Sequence, residues 1–344
     1  MQIITPLMVK KCLDACWTSR EPPSMHINSK RLQNQDTVNQ IIPICFALDA
    51  GYIMPTAVAV HSILSHCRPE NRIHFHFLVP SDFPKDQDAA LRCFENNPSV
   101  FRSDIIRVKE TMFQGKTHIA HITYPTFFRL VMDEYVHYSR CLYLDGDILV
   151  FRDLLELFEF PVGNCLIAGV KAPYSQLKKK NRDSHRRLLG LDSFSLYVNA
   201  GVLLFNLEGI RNCSMQKEFI RLLPKNYPIQ DQDILNSACY PRIRILPPKY
   251  NVLSEFHDYP LRLLKKIYTP GAIHEARNSP VIYHFASAFK PWKFYGGRYE
   301  QEWQTEYNQF WHEKLQKRNE TAMRIEICLE LIKKKCLDFK LLKS

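Results

Sequence analysis

From Ile41 onward, strand-length apolar runs alternate with helix-length segments, and this alternation restricts the fold more than any other feature of the chain. "IIPICFAL" is a continuous apolar run; Asp49 and Gly51 follow it, and then "PTAVAVHSILSHC", whose apolar spacing predicts a helix opened by Pro55. "IHFHFLV" (73–79) alternates in the manner of a strand, "DQDAALRCFEN" fits a helix, and "SDIIRVK" fits a third strand. Such repetition implies an α/β architecture, a mostly parallel Rossmann-like sheet flanked by helices. With 344 residues the chain can bury a full core. We divide it into a polar, irregular extension (1–40), a main domain (41–300) and a C-terminal helical, basic, amphipathic tail (301–344).

Charge and cysteine content narrow the function classes. The formal net charge of +11 favours anionic partners, and much of it lies in "KKKNR", "SHRRLL" and the C-terminal "LIKKKCLDFKLLKS". Zinc-finger spacing, RNP-type aromatic motifs and a helix-turn-helix signal are all missing, so nucleic acid is not the expected partner. The 11 cysteines are odd in number and scattered, which reads as reduced thiols. Cys12 and Cys16, the one close pair, have no matching Cys/His pair downstream. The N-terminus lacks the order of a signal peptide, and no stretch is long and apolar enough to span a bilayer. The expected location is cytoplasmic and peripheral, on the cytoplasmic face of the inner membrane.

In open sheets of this class ligands bind beyond the carboxyl ends of the strands. Asp49 follows the first strand, and Asp145 and Asp147 end another, "CLYLDGDILVF", so both acidic stretches are expected to face one crevice. Neither G-x-G-x-x-G nor a P-loop accompanies them, which disfavours dinucleotide oxidoreductases and Walker-type ATPases. Two aspartates at i and i+2 on an extended segment project to one side and can share a hard divalent cation. A cation would offset their repulsion; the bare triplet is equally compatible with a solvated turn. His284, inside the apolar run "VIYHFASAFKPW", is the candidate third ligand, a set suited to Mn²⁺ and less well to Mg²⁺. Lys290, six residues on, can act as a point charge for a phosphate.

Taken in order, these segments resemble the family 8 glycosyltransferases, which transfer sugars with retention, and most closely the bacterial lipopolysaccharide and lipooligosaccharide core galactosyl- and glucosyltransferases. The resemblance covers residues 41–295: Ala47, Asp49 and Tyr52 in "FALDAGY", the Asp-x-Asp of "YLDGDILV", "NAGVLLFN", "QDQDILN", and the segment from His284 to Trp292. It implies a GT-A fold that binds a UDP-sugar donor, UDP-glucose or UDP-galactose, with Mn²⁺. By this resemblance Asp49 and Tyr52 hold the uracil and Ala47 lines its pocket. Asp145, Asp147 and His284 bind the metal, and Asp145 also touches the ribose. Lys290 and His121 meet the diphosphate, and Arg129 in "YPTFFRL" reaches the phosphate and donor sugar. Asn199, Asp231 and Gln232 surround the sugar ring.

Metal and lysine would neutralise the departing UDP, so no general acid is required at the leaving group. Gln232 is expected near the anomeric carbon, with Asp231 or Asp233 nearby. A carboxamide is a poor nucleophile, which favours front-side substitution. Three positions depart from relatives: Gly51, Ser287 where a glycine commonly contacts the phosphates, and Lys171 where some members carry an aspartate. Lys171 either pairs with a phosphorylated acceptor or points to water. The tail spaces Ile325, Leu329, Ile332, Cys336 and Phe339 as one helical stripe among lysines, suited to an anionic membrane near a lipid-linked saccharide acceptor. A metal-dependent phosphohydrolase and a non-catalytic saccharide-binding scaffold are the competing readings.

Overall fold

The computed structural model describes residues 40–113, 124–177, 179–293 and 296–316. The N-terminal extension up to residue 39, His121 and the tail stripe from Ile325 to Phe339 lie outside the described residues. Two compact units divide the chain, Met1–Ala288 and Phe289–Ser344, and each is taken by itself.

Among the described residues the first unit has nine strands: β1 (Gln40–Ala47), β2 (Asn71–Pro80), β3 (Val100–Val108), β4 (Arg140–Leu144), β5 (Ile148–Val150), β6 (Ile167–Gly169), β7 (Val202–Asn206), β8 (Ile243–Ile245) and β9 (Ile282–His284). Seven form one sheet in the order β3-β2-β1-β4-β7-β6-β8, and β5 pairs with β9 in a small second sheet. β1, β2, β3 and β4 run parallel, β7 is antiparallel to both its neighbours, and β8 is parallel to β6. The centre of β1 is inaccessible to solvent at Ile42, Ile44, Cys45 and Phe46, as expected of a parallel strand covered on both faces.

Helix α1 (Ile53–His66) covers one face and is buried continuously from Pro55 to Leu64. Ser62 Oγ on α1 accepts a hydrogen bond from the Val150 backbone N–H at 3.1 Å, tying the helix to β5. One face of the sheet is filled by a cluster that includes Phe128, Tyr143, Tyr197, Phe205 and Phe219. Helix α2 (Lys179–Leu188) carries part of the basic sequence, and α3 (Gln230–Cys239) carries "QDQDILN".

The strand expected over 73–79 extends to 71–80, and that expected over 103–109 occupies 100–108. The apolar run 196–207 is strand only from Val202. Before it the chain turns: Asn199 Oδ1 accepts from Gly201 N–H at 3.0 Å, and Asn236 replaces the ladder at Val198, with bonds of 2.8 and 2.9 Å. In the second unit, α4 (Glu300–Gln316) places Trp303 beside Trp292 and stacks it on Tyr307, with ring centroids 5.6 and 5.5 Å apart.

Candidate active site

Asp145 and Asp147 sit in the break between β4 and β5. Asp145 N–H donates to the Gly201 carbonyl at 2.8 Å, and Phe285 N–H donates to the Asp147 carbonyl at 2.9 Å. The Asp-Gly-Asp backbone is thus held on one side by the segment before β7 and on the other by the end of β9. His284 Nε2 lies 3.7 Å from Asp145 Oδ2 and 3.3 Å from Asp147 Oδ1. Gly201 is required by this approach: a Cβ there would stand 2.1 Å from His284 Cε1 and 2.7 Å from Asp145 Oδ2. Gly146 has a similar reason, since its Cβ would meet Thr56 Oγ1 at 2.3 Å.

A chain of amides fixes the imidazole. Asn251 Nδ2 donates to Asn199 Oδ1 at 2.8 Å, which leaves Asn251 Oδ1 to accept from His284 Nδ1 at 3.1 Å. The proton therefore belongs on Nδ1, and the Nε2 lone pair faces the two carboxylates. An imidazole lone pair and two carboxylates aimed at one point repel each other unless a cation lies between them. Their donor atoms lie within 4.8 Å of one another, and the set suits a divalent ion such as Mn²⁺.

Arg129 organises the opposite side. Its guanidinium lies 2.9 Å from Asp145 Oδ1 and 3.1 Å from Asp231 Oδ2, donates to the Ala200 carbonyl at 2.6 Å, and covers the Tyr143 ring at 4.3 Å. Tyr143 O–H also donates to Asp145 Oδ1, at 3.0 Å. Asp145 thus spends one oxygen on the protein and turns the other toward His284. Burial opposes the charge of Arg129, yet the carboxylates of Asp145 and Asp231 more than offset it and hold the group firmly protonated. Burial pushes the Asp231 carboxyl up to about 6 against the pull of Arg129. Thr126 Oγ1 donates to the other oxygen of Asp231 at 3.0 Å.

Gln232 joins the same network. Its Oε1 accepts from Asn199 Nδ2 at 3.1 Å and Ala200 N–H at 3.0 Å, and its Nε2 donates to Tyr197 Oη at 2.8 Å. Asp233 is fully buried, and its oxygens are taken by Tyr197, His185 and the Ile229 N–H at 2.6, 2.8 and 2.8 Å.

Asp49 caps the turn after β1 by accepting from Gly51 N–H at 2.9 Å. Tyr52 follows; burial first, then the charges of Asp147, Asp145 and Asp49, raise its phenol above the usual range. Ala47, which ends β1, is half-buried, and Ser287 is exposed. Lys171 is also half-buried: its N–H donates to Tyr268 Oη at 2.7 Å, and its ammonium lies 6.0 Å from the Tyr268 ring centre. Lys290 belongs to the second unit. Sequence reasoning passes over Asn251, Tyr143, Thr126 and Tyr197. Of these Tyr143, Thr126 and Tyr197 carry a signal, each two or three residues from a candidate already chosen, and Asn251 carries none.

The sheet order, with an acidic pair beyond the end of β4, defines a GT-A glycosyltransferase fold. The galactosyltransferase LgtC, solved with donor and acceptor sugar analogues, shares it with a TM-score of 0.65 at 23% identity over 78% of this chain and 96% of that one. The chain belongs to glycosyl transferase family 8, whose model matches residues 43–296. It is 28% identical over 236 residues to a putative glycosyltransferase of Haemophilus influenzae, covering 66% of this chain and 67% of the relative. With the lipopolysaccharide 1,2-glucosyltransferase of Escherichia coli it shares 25% over 275 residues, 76% of this chain and 75% of the relative. The chain spans less than two thirds of several curated relatives, 57% of GlyF of Streptococcus pneumoniae among them.

Proposed function

We propose that this chain moves a hexose, glucose or galactose, from a UDP-sugar to a saccharide acceptor with retention at the anomeric carbon, the acceptor being a lipopolysaccharide core. The observation that carries this reading is the convergence of Asp145, Asp147 and His284 beside the amides of Asn199 and Gln232 at the end of the sheet. The similarity to the Escherichia coli glucosyltransferase supports the acceptor class.

Asp145, Asp147 and His284 would hold Mn²⁺, or Mg²⁺, which supplies Lewis-acid neutralisation of the diphosphate charge. The chain's own residues do the rest. Asn251 and Asn199 fix the His284 tautomer, and Arg129 with Tyr143 fixes the Asp145 rotamer, so the site is organised before substrate arrives. Asp49 and Tyr52 bind the uracil, and Asn199 and Asp231 flank the sugar. The Gln232 carbonyl accepts two hydrogen bonds from the chain, which supports a positioning role for it and front-side attack by the acceptor hydroxyl. The net charge of +11 supports work at an anionic membrane surface on the cytoplasmic side.

The test is UDP release from UDP-glucose and UDP-galactose, with and without Mn²⁺, in wild type and Asp147→Ala, with NMR of the product anomer. Metal-dependent release that the variant loses, and an α-linked product from these α-linked donors, are expected. Failure to bind any UDP-sugar with any divalent metal would sink the proposal.

A further inference from the structure

A second group of metal-capable side chains lies on the strands β2 and β3 and shares no residue with the candidate active site. His74 and His76, at i and i+2 on β2, project to one face of the sheet. The parallel register sets His76 opposite Asp104 and His74 opposite Arg102 on β3. The donor atoms of His74, His76 and Asp104 all fall within 4.8 Å of one another.

We propose that His74, His76 and Asp104 form a structural zinc site that fastens β2 to the edge strand β3. Three observations carry it. His76 is 3% exposed, yet neither of its ring nitrogens has a hydrogen-bond partner among the described residues. An imidazole buried in that condition loses its hydration with nothing in return unless a ligand supplies it.

The spacing is also right. His74 Nε2 lies 2.9 Å and His76 Nδ1 3.9 Å from the same oxygen, Asp104 Oδ2. Zinc bonds of about 2.0–2.1 Å in a tetrahedron put ligand atoms about 3.4 Å apart, between those two values. Small side-chain rotations would bring all three donors onto one ion, with water in the fourth position.

The surroundings support it too. Tyr138 Oη lies 2.8 Å from His74 Nδ1, where it can accept the N–H and leave Nε2 as the ligand atom. Arg102 Nε donates to Asp104 Oδ1 at 2.5 Å, which leaves Oδ2 for the cluster. Two imidazoles to one carboxylate favour zinc over magnesium or calcium, which prefer oxygen.

The full-length chain, stripped with a chelator, should be titrated with Zn²⁺ in the Asp147→Ala background, which weakens the acidic cluster as a competitor. One tightly held zinc per chain is expected, with a rise in Tm of about 3–5 °C at a hundredfold excess over Kd. Adding His76→Gln should weaken binding by at least about tenfold. X-ray absorption at the zinc edge should show two imidazoles in the shell of the zinc-loaded Asp147→Ala chain, a readout that does not depend on the His76 variant folding. No tight zinc in Asp147→Ala, affinity unchanged by His76→Gln, or fewer than two imidazoles in the shell would each overturn the assignment.

Discussion

The two His/Asp clusters of this molecule are built from the same residue types and oppose one another in nearly every other respect. At the end of β4 two carboxylates meet one imidazole, and each donor comes from a segment interrupted by a turn or a strand end. On β2 and β3 two imidazoles meet one carboxylate, and all three donors stand within paired strands, His74 directly after a register shift. The first imidazole is held by Asn251 at 3.1 Å, whereas His76 has no hydrogen-bond partner among the described residues. A site meant to exchange ligands is held rigid by partners around it; a site meant to close a sheet can leave its donor to the ion. The inversion of carboxylate and imidazole also predicts different metals, a hard divalent ion at one and zinc at the other.

The arginine beside each cluster gives the sharpest way to break this comparison. Arg129 is 5% exposed and Arg102 65% exposed at the side chain. Arg129→Leu leaves Asp145 and Asp231 without their counter-charge in a buried setting and should cost about 3–5 kcal/mol, read from urea unfolding. Its counterpart Arg102→Leu should cost less than about 1 kcal/mol. Equal losses would mean that the two arginines do the same job. Asp147→Ala should lower metal-dependent turnover by about 10³-fold, the several kcal/mol of charge stabilisation that a metal provides.

Asn251→Leu should weaken Mn²⁺ binding by about 10- to 100-fold through the freed His284 ring while leaving zinc uptake at β2 unchanged, measured by calorimetry. Loss at both places would show that Asn251 supports the sheet and not the site. The smallest effect concerns pH. Burial raises Asp231 to about 6, so ionising it opposes folding: its contribution to stability is whole below the ordinary carboxylate range and is lost as pH rises through about 6. Melting curves between about pH 4 and 7 should carry this decline in wild type and not in Asp231→Asn; parallel slopes would absolve Asp231.

The sequence reveals much of this and hides the remainder for physical reasons. β1 and β2 are legible because burial on both faces or a period of two leaves a pattern in a single segment. β6 and β8 are three residues long, too short for any period; β6 is held by the longer β7, and β8 pairs in turn with β6, so neither is written in its own segment. Asp145 and Asp147 announce themselves by adjacency. Asn251 does not, because it works only across space, 33 residues from His284. "IHFHFLV" displays both histidines in plain alternation, but their carboxylate partner is chosen by the β2–β3 register, which one strand alone cannot encode.

The small sheet has a consequence for how the protein is made. β5 follows Asp147 at once, but its pairing partner β9 comes 132 to 136 positions later in register, from Val150 with Ile282 to Ile148 with His284. On the ribosome, at about 5–20 residues per second, the acidic pair would wait for some seconds with that edge open before the strand bearing its histidine emerges. A nascent chain halted before Ile282 would already hold the paired β1 to β4 framework and would still lack a complete centre, so competence arrives late in synthesis, with the docking of a single three-residue strand.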